Sequence, residues 1–149
     1  MSWEEFPDTS LKAAWAAWGQ PIGLGSSGES AILGAWNSGD LDTRREMFVL
    51  PRGGGHADWP GNQVIGFDLP TRTWKLLAPL SPAYYPMNAA STVFGPIYPD
   101  GSPASVHTYD TVAYMPGVDA FWSGGGIWWS PGGESVDRML RKQPDGTWR

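Results

Sequence analysis

Two glycine triplets, Gly53-Gly54-Gly55 and Gly124-Gly125-Gly126, stand 71 residues apart, and each follows an apolar run. Sliding the chain by that distance lays Trp36-Asn37-Ser38-Gly39 on His107-Thr108-Tyr109-Asp110, and the run ending at Leu50 on the one ending at Phe121. After the glycines each copy supplies a segment of strand length and a closing tryptophan. The endings read Phe67-Asp68-Leu69-Pro70-Thr71-Arg72-Thr73-Trp74 and Gln143-Pro144-Asp145-Gly146-Thr147-Trp148. The second ending slips by a few residues, as a changed loop length produces. Self-similarity on this scale marks units that bury their apolar faces by stacking on one another.

Within a copy the apolar runs are short. Ala31 to Trp36, Met47 to Leu50, Asn62 to Leu69 and Thr73 to Leu77 each have strand length, and Gly, Pro, Asn or Asp interrupts every gap. Four such runs in succession predict an antiparallel meander. Gly 20 and Pro 14, with ten tryptophans and an aromatic fraction of 13%, fit many short strands joined by tight turns rather than a disordered chain. The expected fold is all-β, with a first unit over 31–78, an insertion over 79–104 and an incomplete second unit over 105–149. Residues 1–30 stand apart. There Leu11, Trp15 and Trp18 fall on one helical face behind Asp8-Thr9-Ser10, and Gly19 and Pro21 end the segment. A short helix and an irregular aromatic segment packed on the rim both satisfy that pattern. Gly23 to Ser30 reads as a Gly/Ser linker.

The first copy, FVLPRGGGHADWPGNQVIGFDLPTRTW, resembles the Kelch motif, in which an apolar strand leads to a glycine doublet, a strand, an aromatic, a turn and a Trp. The second, AFWSGGGIWWSPGGESVDRMLRKQPDGTW, keeps the glycines and the Trp but has Arg141 and Lys142 where the aromatic-Asp pair belongs. The resemblance covers about Ala31 to Arg149 and implies four-stranded β-propeller blades. Close backbone approach then explains the glycines, and packing between blades explains Trp74 and Trp148. Propellers use four to eight blades of about 50 residues each. The remaining blades are therefore expected from a longer chain or from other copies.

Composition narrows the partners. The formal net charge is -5, and the one basic cluster (Arg138, Arg141, Lys142) is small, so nucleic acid is not an expected partner. No apolar stretch approaches the ~20 residues of a membrane helix. The acidic start Met1-Ser2-Trp3-Glu4-Glu5-Phe6 does not read as a secretory signal, and the compartment stays open. The chain has no cysteine, which excludes disulfides, thiolate metal sites and cysteine nucleophiles. It also lacks the tyrosine–cysteine crosslink that the copper site of galactose oxidase, a Kelch-type enzyme, requires.

No catalytic constellation, metal site or cofactor is expected. The two histidines lack a third ligand, no two carboxylates are singled out as a glycosidase pair, and Asp145-Gly146 suits a hairpin turn rather than an Asp box. Gly23-Leu24-Gly25-Ser26-Ser27-Gly28 has the letters of a dinucleotide fingerprint without its strand and helix. The candidate binding residues cluster after the glycine triplets: His56, Asp58, Trp59 and Asn62 in one loop, Trp128 and Trp129 in the other, with His107 and Tyr109 at the start of the second unit. Trp59 would stack on a sugar while Asp58 and Asn62 hydrogen-bond it. The alternative is that Asp58 and Asn62 shape the turn, His56 caps a strand end, and Trp59, Trp128 and Trp129 cover a blade face. The aromatic-rich insertion carries Tyr84, Tyr85, Phe94 and Tyr98. The expected function is recognition of protein or glycan through loops. The alternatives are a piece of a propeller enzyme whose catalytic residues lie elsewhere, or a structural part of a surface or virion assembly.

Overall fold

A computed structural model of the chain describes residues 2–54, 58–83, 97–124, 138–148 and the backbone of 127–128. Its strands form two larger antiparallel sheets and a two-stranded one. The first has the order β1 (Asp40–Asp42), β2 (Met47–Leu50), β3 (Val64–Asp68), β4 (Thr73–Ala78). A two-residue strand, β5 (Val106–His107), pairs with β8 (Ile127–Trp128). The second sheet has the order β6 (Val112–Met115), β7 (Ala120–Ser123), β9 (Arg138–Arg141). Beyond β9, Lys142 and Trp148 pair in an isolated bridge around a hairpin turn at Asp145-Gly146.

The two sheets repeat each other, at an offset set by their turns. In the first, Arg45 N donates to Asp42 O and Glu46 closes the turn at φ 50°, so β2 opens at Met47. In the second, Val118 N donates to Met115 O and Asp119 closes the turn at φ 49°, so β7 opens at Ala120. The offset is therefore 73, not the 71 that aligns the glycine triplets. Turn geometry fixes hairpin register. A difference of two residues leaves the same side chains facing inward, which is why both offsets match the apolar runs.

Each face of the first sheet is covered. Leu50, Ile65, Trp74 and Leu76 meet Trp15, Ala31, Ile32 and Trp59. Met47, Val49 and Val64 meet Tyr114, Phe121 and Trp148 of the second unit. The N-terminal segment thus closes one face and the second sheet the other. Helix α1 (Leu11–Ala17) is capped by Ser10, whose Oγ accepts from Ala13 N, and it turns Leu11, Trp15 and Trp18 onto the sheet. Trp74 Nε1 donates to Thr9 O at 2.9 Å and ties β4 to the segment before that helix.

An ionic clasp also joins the sheets. Arg45 grips Asp119 with both arms, at 2.8 and 2.7 Å, and its Nη1 also reaches the fully buried Asp42 at 2.6 Å. Its guanidinium lies 5.3 Å from the Trp148 ring centre. Tyr114 Oη donates to Asp119, and Tyr114 N to Asp40 Oδ2. The Arg45 fork, helped by Tyr114, holds the Asp119 carboxyl far below the usual range. Burial and the Asp119 bond push the Tyr114 phenol up to about 12.

Three expectations are corrected. Ala31 to Trp36 is not the first strand: Ala31–Gly34 forms a helical turn, α2, with Ala35 N on Ala31 O and Asn37 Nδ2 on the same carbonyl. A short apolar run does not distinguish helix from buried strand, and here Asn37 satisfies the turn's free end. Gly23 to Ser30 is not a loose linker. It holds a 3-10 turn over Gly28–Ser30, and Glu29 accepts from Gly23 N. His107 does not begin the second sheet; it ends β5, and that sheet starts at Val112. Among the described residues no helix is long and apolar enough to cross a membrane.

Candidate functional site

The first glycine triplet and the segment following the second converge on β5. On one side Gly53 bridges to Val106 in parallel, with Gly54 N donating to Val106 O and Val106 N to Arg52 O. On the other side the backbone of Trp128 pairs with Val106 and that of Ile127 with His107. Gly54 is required here. Its φ is +124°, and a Cβ would lie 2.7 Å from that of Trp59. A Cβ on Gly53 would lie 2.9 Å from Asn37 Cγ. The glycines therefore make room for two side chains as well as for the backbone of β5.

The expected binding residues divide. Trp59 is fully buried, edge-on to Trp15 with ring centres 5.7 Å apart, and its Nε1 donates to Gln63 Oε1. It is a core residue with no face for a sugar. Asn62, also buried, clamps the two described ends of the insertion: its Oδ1 accepts from Ser81 N, and its Nδ2 donates to Ser102 Oγ and Pro103 O. The insertion's Tyr98 is buried as well, with its hydroxyl on Pro60 O. His56, Tyr84, Tyr85, Phe94, Trp129 and the Trp128 side chain lie outside the described residues.

Asp58 and His107, distant in sequence, meet at 2.9 Å through Oδ2 and Nε2. Asp58 also accepts from Ser27 Oγ at 2.8 Å and Ser26 Oγ at 3.2 Å. Burial pushes its carboxyl up, but the bonds from Ser27, His107 and Ser26 outweigh that and hold it below the usual value. A carboxylate only accepts, so Nε2 of His107 carries the proton. The pair pins the 26–27 turn and the 58–59 turn to β5, which is an architectural task. Among the described residues no group of three or more acidic or histidine side chains is placed to hold a metal ion.

Tyr109 remains exposed, and its partner is a residue that the triplet alignment set against His107 instead. At an offset of 73 Trp36 corresponds to Tyr109. Both residues have left-handed backbones, φ 43° and 48°, a conformation uncommon for aromatic side chains. Tyr109 N donates to Trp36 O at 2.7 Å, and the rings stand side by side with centres 6.5 Å apart, tilted by 45°. Trp36 is 69% exposed and Tyr109 42%. The buried His107 ring supports Tyr109 edge-on at 5.8 Å. Asn37 fixes the backbone beneath: its Oδ1 accepts from Gly54 N and Thr108 N, while Thr108 Oγ1 accepts from Ser38 N. The result is two open aromatic rings on a rigid, hydrogen-bonded base.

No protein-family model matches the chain, and neither curated proteins nor solved structures give a match.

Proposed function

We propose that the chain is a recognition module that binds glycan at the Trp36–Tyr109 pair, carried on Kelch-type propeller blades. The observation that carries the reading is this pair of adjacent aromatic rings, open to solvent although Trp is usually largely buried. Aromatic rings with polar groups beside them suit a sugar, which offers apolar C–H faces ringed by hydroxyls. Ser38 and Asp110 flank the pair as polar neighbours in sequence. The blade reading is supported by the repeated turn geometry, by Trp148 packed between the sheets, and by the glycine segments meeting at β5.

A glycan array probed with the labelled protein tests this proposal. Retention of defined oligosaccharides, lost in both Trp36→Ala and Tyr109→Ala while circular dichroism is unchanged, is the expected result. An array without retained glycans, or retention unaffected by either change, rejects it.

A further inference from the structure

The joint between the two sheets has an open counterpart on each side of the pair. Within the chain, the face of the first sheet that carries Met47 and Val49 packs on the face of the second that carries Tyr114 and Phe121. The offset of 73 sets Leu41 and Phe48 at the positions of Tyr114 and Phe121, and Ala120 and Trp122 at those of Met47 and Val49. The first sheet therefore has its own version of the receiving face, and the second its own version of the inserting one.

Strand pairing defines both faces. Leu41, Phe48 and Phe67 lie opposite one another across β1, β2 and β3, so their side chains share a face. The N-terminal segment covers that face at Leu50, Ile65, Trp74 and Leu76. Leu41 stays 39% exposed and Phe48 37%, and Leu41, Glu46 and Leu69 rim an open hollow of about 590 Å³. In the second sheet Ala113, Trp122 and Met139 form one row of the opposite-handed face, with Met115, Ala120 and Arg141 in the next. A Cβ on Gly124 would lie 2.2 Å from the Trp122 ring, so this glycine lets the ring fold back along the face. Met139 is exposed, while Ala113, Met115 and Trp122 are half-buried. Among the described residues, none of these four joins an apolar cluster, and neither do Leu41 and Phe48.

The charges on the two faces are opposite. Glu46, exposed, holds the position of Asp119 on the receiving side. Val118 replaces Arg45 on the inserting side, but Arg141, exposed in the row of Ala120, supplies a cation there. We infer that the occupant of each face is a second copy of this chain: Met115, Trp122 and Met139 of one copy pack on Leu41 and Phe48 of the next, with Arg141 toward Glu46. Apolar faces with complementary charge at their margins suit such docking. The contact joins two different faces, so every added copy presents a fresh pair. Lacking the Arg45 clasp, it rests on apolar packing and depends on concentration.

Sedimentation velocity of the intact chain, without glycan, tests the inference. The mean mass should rise above the 16.2 kDa of one chain between micromolar and near-millimolar concentration. Phe48→Glu blocks the receiving face and Met139→Glu the inserting one. Association would bury the new charge, so each variant alone should stay at the mass of one chain, with circular dichroism unchanged. Mixed in equal amounts, they should pair through their intact faces into a species of twice that mass and grow no further. A charge exchange leaves the apolar faces untouched: Glu46→Arg and Arg141→Glu should each weaken association at least about tenfold, and the double variant should restore it. A parent chain that keeps the mass of one chain throughout overturns the inference. So does assembly by either blocked variant alone, a mixture that stays monomeric or passes the dimer, or a charge exchange that restores nothing. Trp36 and Tyr109 take no part in either face, so glycan retention is decided separately.

Discussion

Removing Arg45 should loosen the two sheets, and the cost follows from what it leaves behind. Its guanidinium serves Asp42, which is fully buried, and Asp119, whose side chain is 30% exposed. Arg45→Ala strands a buried carboxylate that keeps the backbone N–H groups of Arg44 and Arg45 as donors but loses its charged partner. Breaking a buried pair from one side costs about 3–5 kcal/mol. Arg45 is itself 25% exposed, so solvent screening places this case near about 3 kcal/mol. Asp119→Ala loses hydrogen bonds to a charged group and should cost about 1.5 kcal/mol. In the Arg45→Ala background it should cost the Tyr114 bond and the largely exposed Arg44 contact, together about 0.5 kcal/mol. The coupling between the residues is then about 1 kcal/mol, measured by urea denaturation of the parent, both single variants and the double variant. With an m-value of about 2 kcal/mol/M, Arg45→Ala lowers the midpoint by about 1.5 M. Effects that add to within about 0.3 kcal/mol would refute the reasoning and leave the clasp a surface contact without consequence.

Acid should destabilise the fold, because the carboxyls of Asp58, Asp68, Asp100 and Asp119 are all held below their ordinary values. A depressed folded pKa gives stability that is complete above the unfolded value, about 3.9, and is lost as pH falls through the folded one. Urea midpoints should therefore drop from about pH 4 downward, less steeply in Asp119→Asn; a midpoint that rises on acidification contradicts this. Tyr114, raised to about 12, works in the opposite direction. Its contribution is complete below about pH 10 and disappears between there and 12, so ultraviolet titration should show a late-ionising tyrosine that Tyr114→Phe removes. Trp59→Ala should cost about 3–5 kcal/mol as a core deletion, whereas Trp36→Ala should change stability by no more than about 0.5 kcal/mol. Reversal of that order in thermal denaturation would exchange the roles given to the two tryptophans.

What was legible in the sequence was local. Helix α1 depends on Ser10 and on three residues at helical spacing, all within one segment. Met47–Leu50 and Thr73–Ala78 are strands by composition, and Asp145-Gly146 is a turn by chemistry. Strand β1 was not legible, because Asp40-Leu41-Asp42 has neither an apolar run nor β-branched residues. It is a strand because Val49, Phe48 and Met47 pair with it and because Arg45 neutralises a buried Asp42. The polar loop around Trp59 suits a sugar platform as well as a structural cover, and the loop alone does not decide between them. The burial of Trp59 comes from Trp15, which lies in the N-terminal segment that no repeat alignment includes.

The offset of 73 also explains why the repeat pattern does not reveal the clasp and why it belongs to this pair of units. Asp119 corresponds to Glu46, and Arg45 corresponds to Val118. The acid position is therefore kept in both units, while the arginine is present only in the first. Glu46 is exposed on the first unit's turn, where the N-terminal segment brings it no cation among the described salt bridges. Val118, 53% exposed, offers none onward. A clasp of this kind cannot pass from the second unit to another through the same bond. It sets the order of these two sheets without templating a third, and apolar packing such as that of Trp148 is the term that a stack of units can repeat.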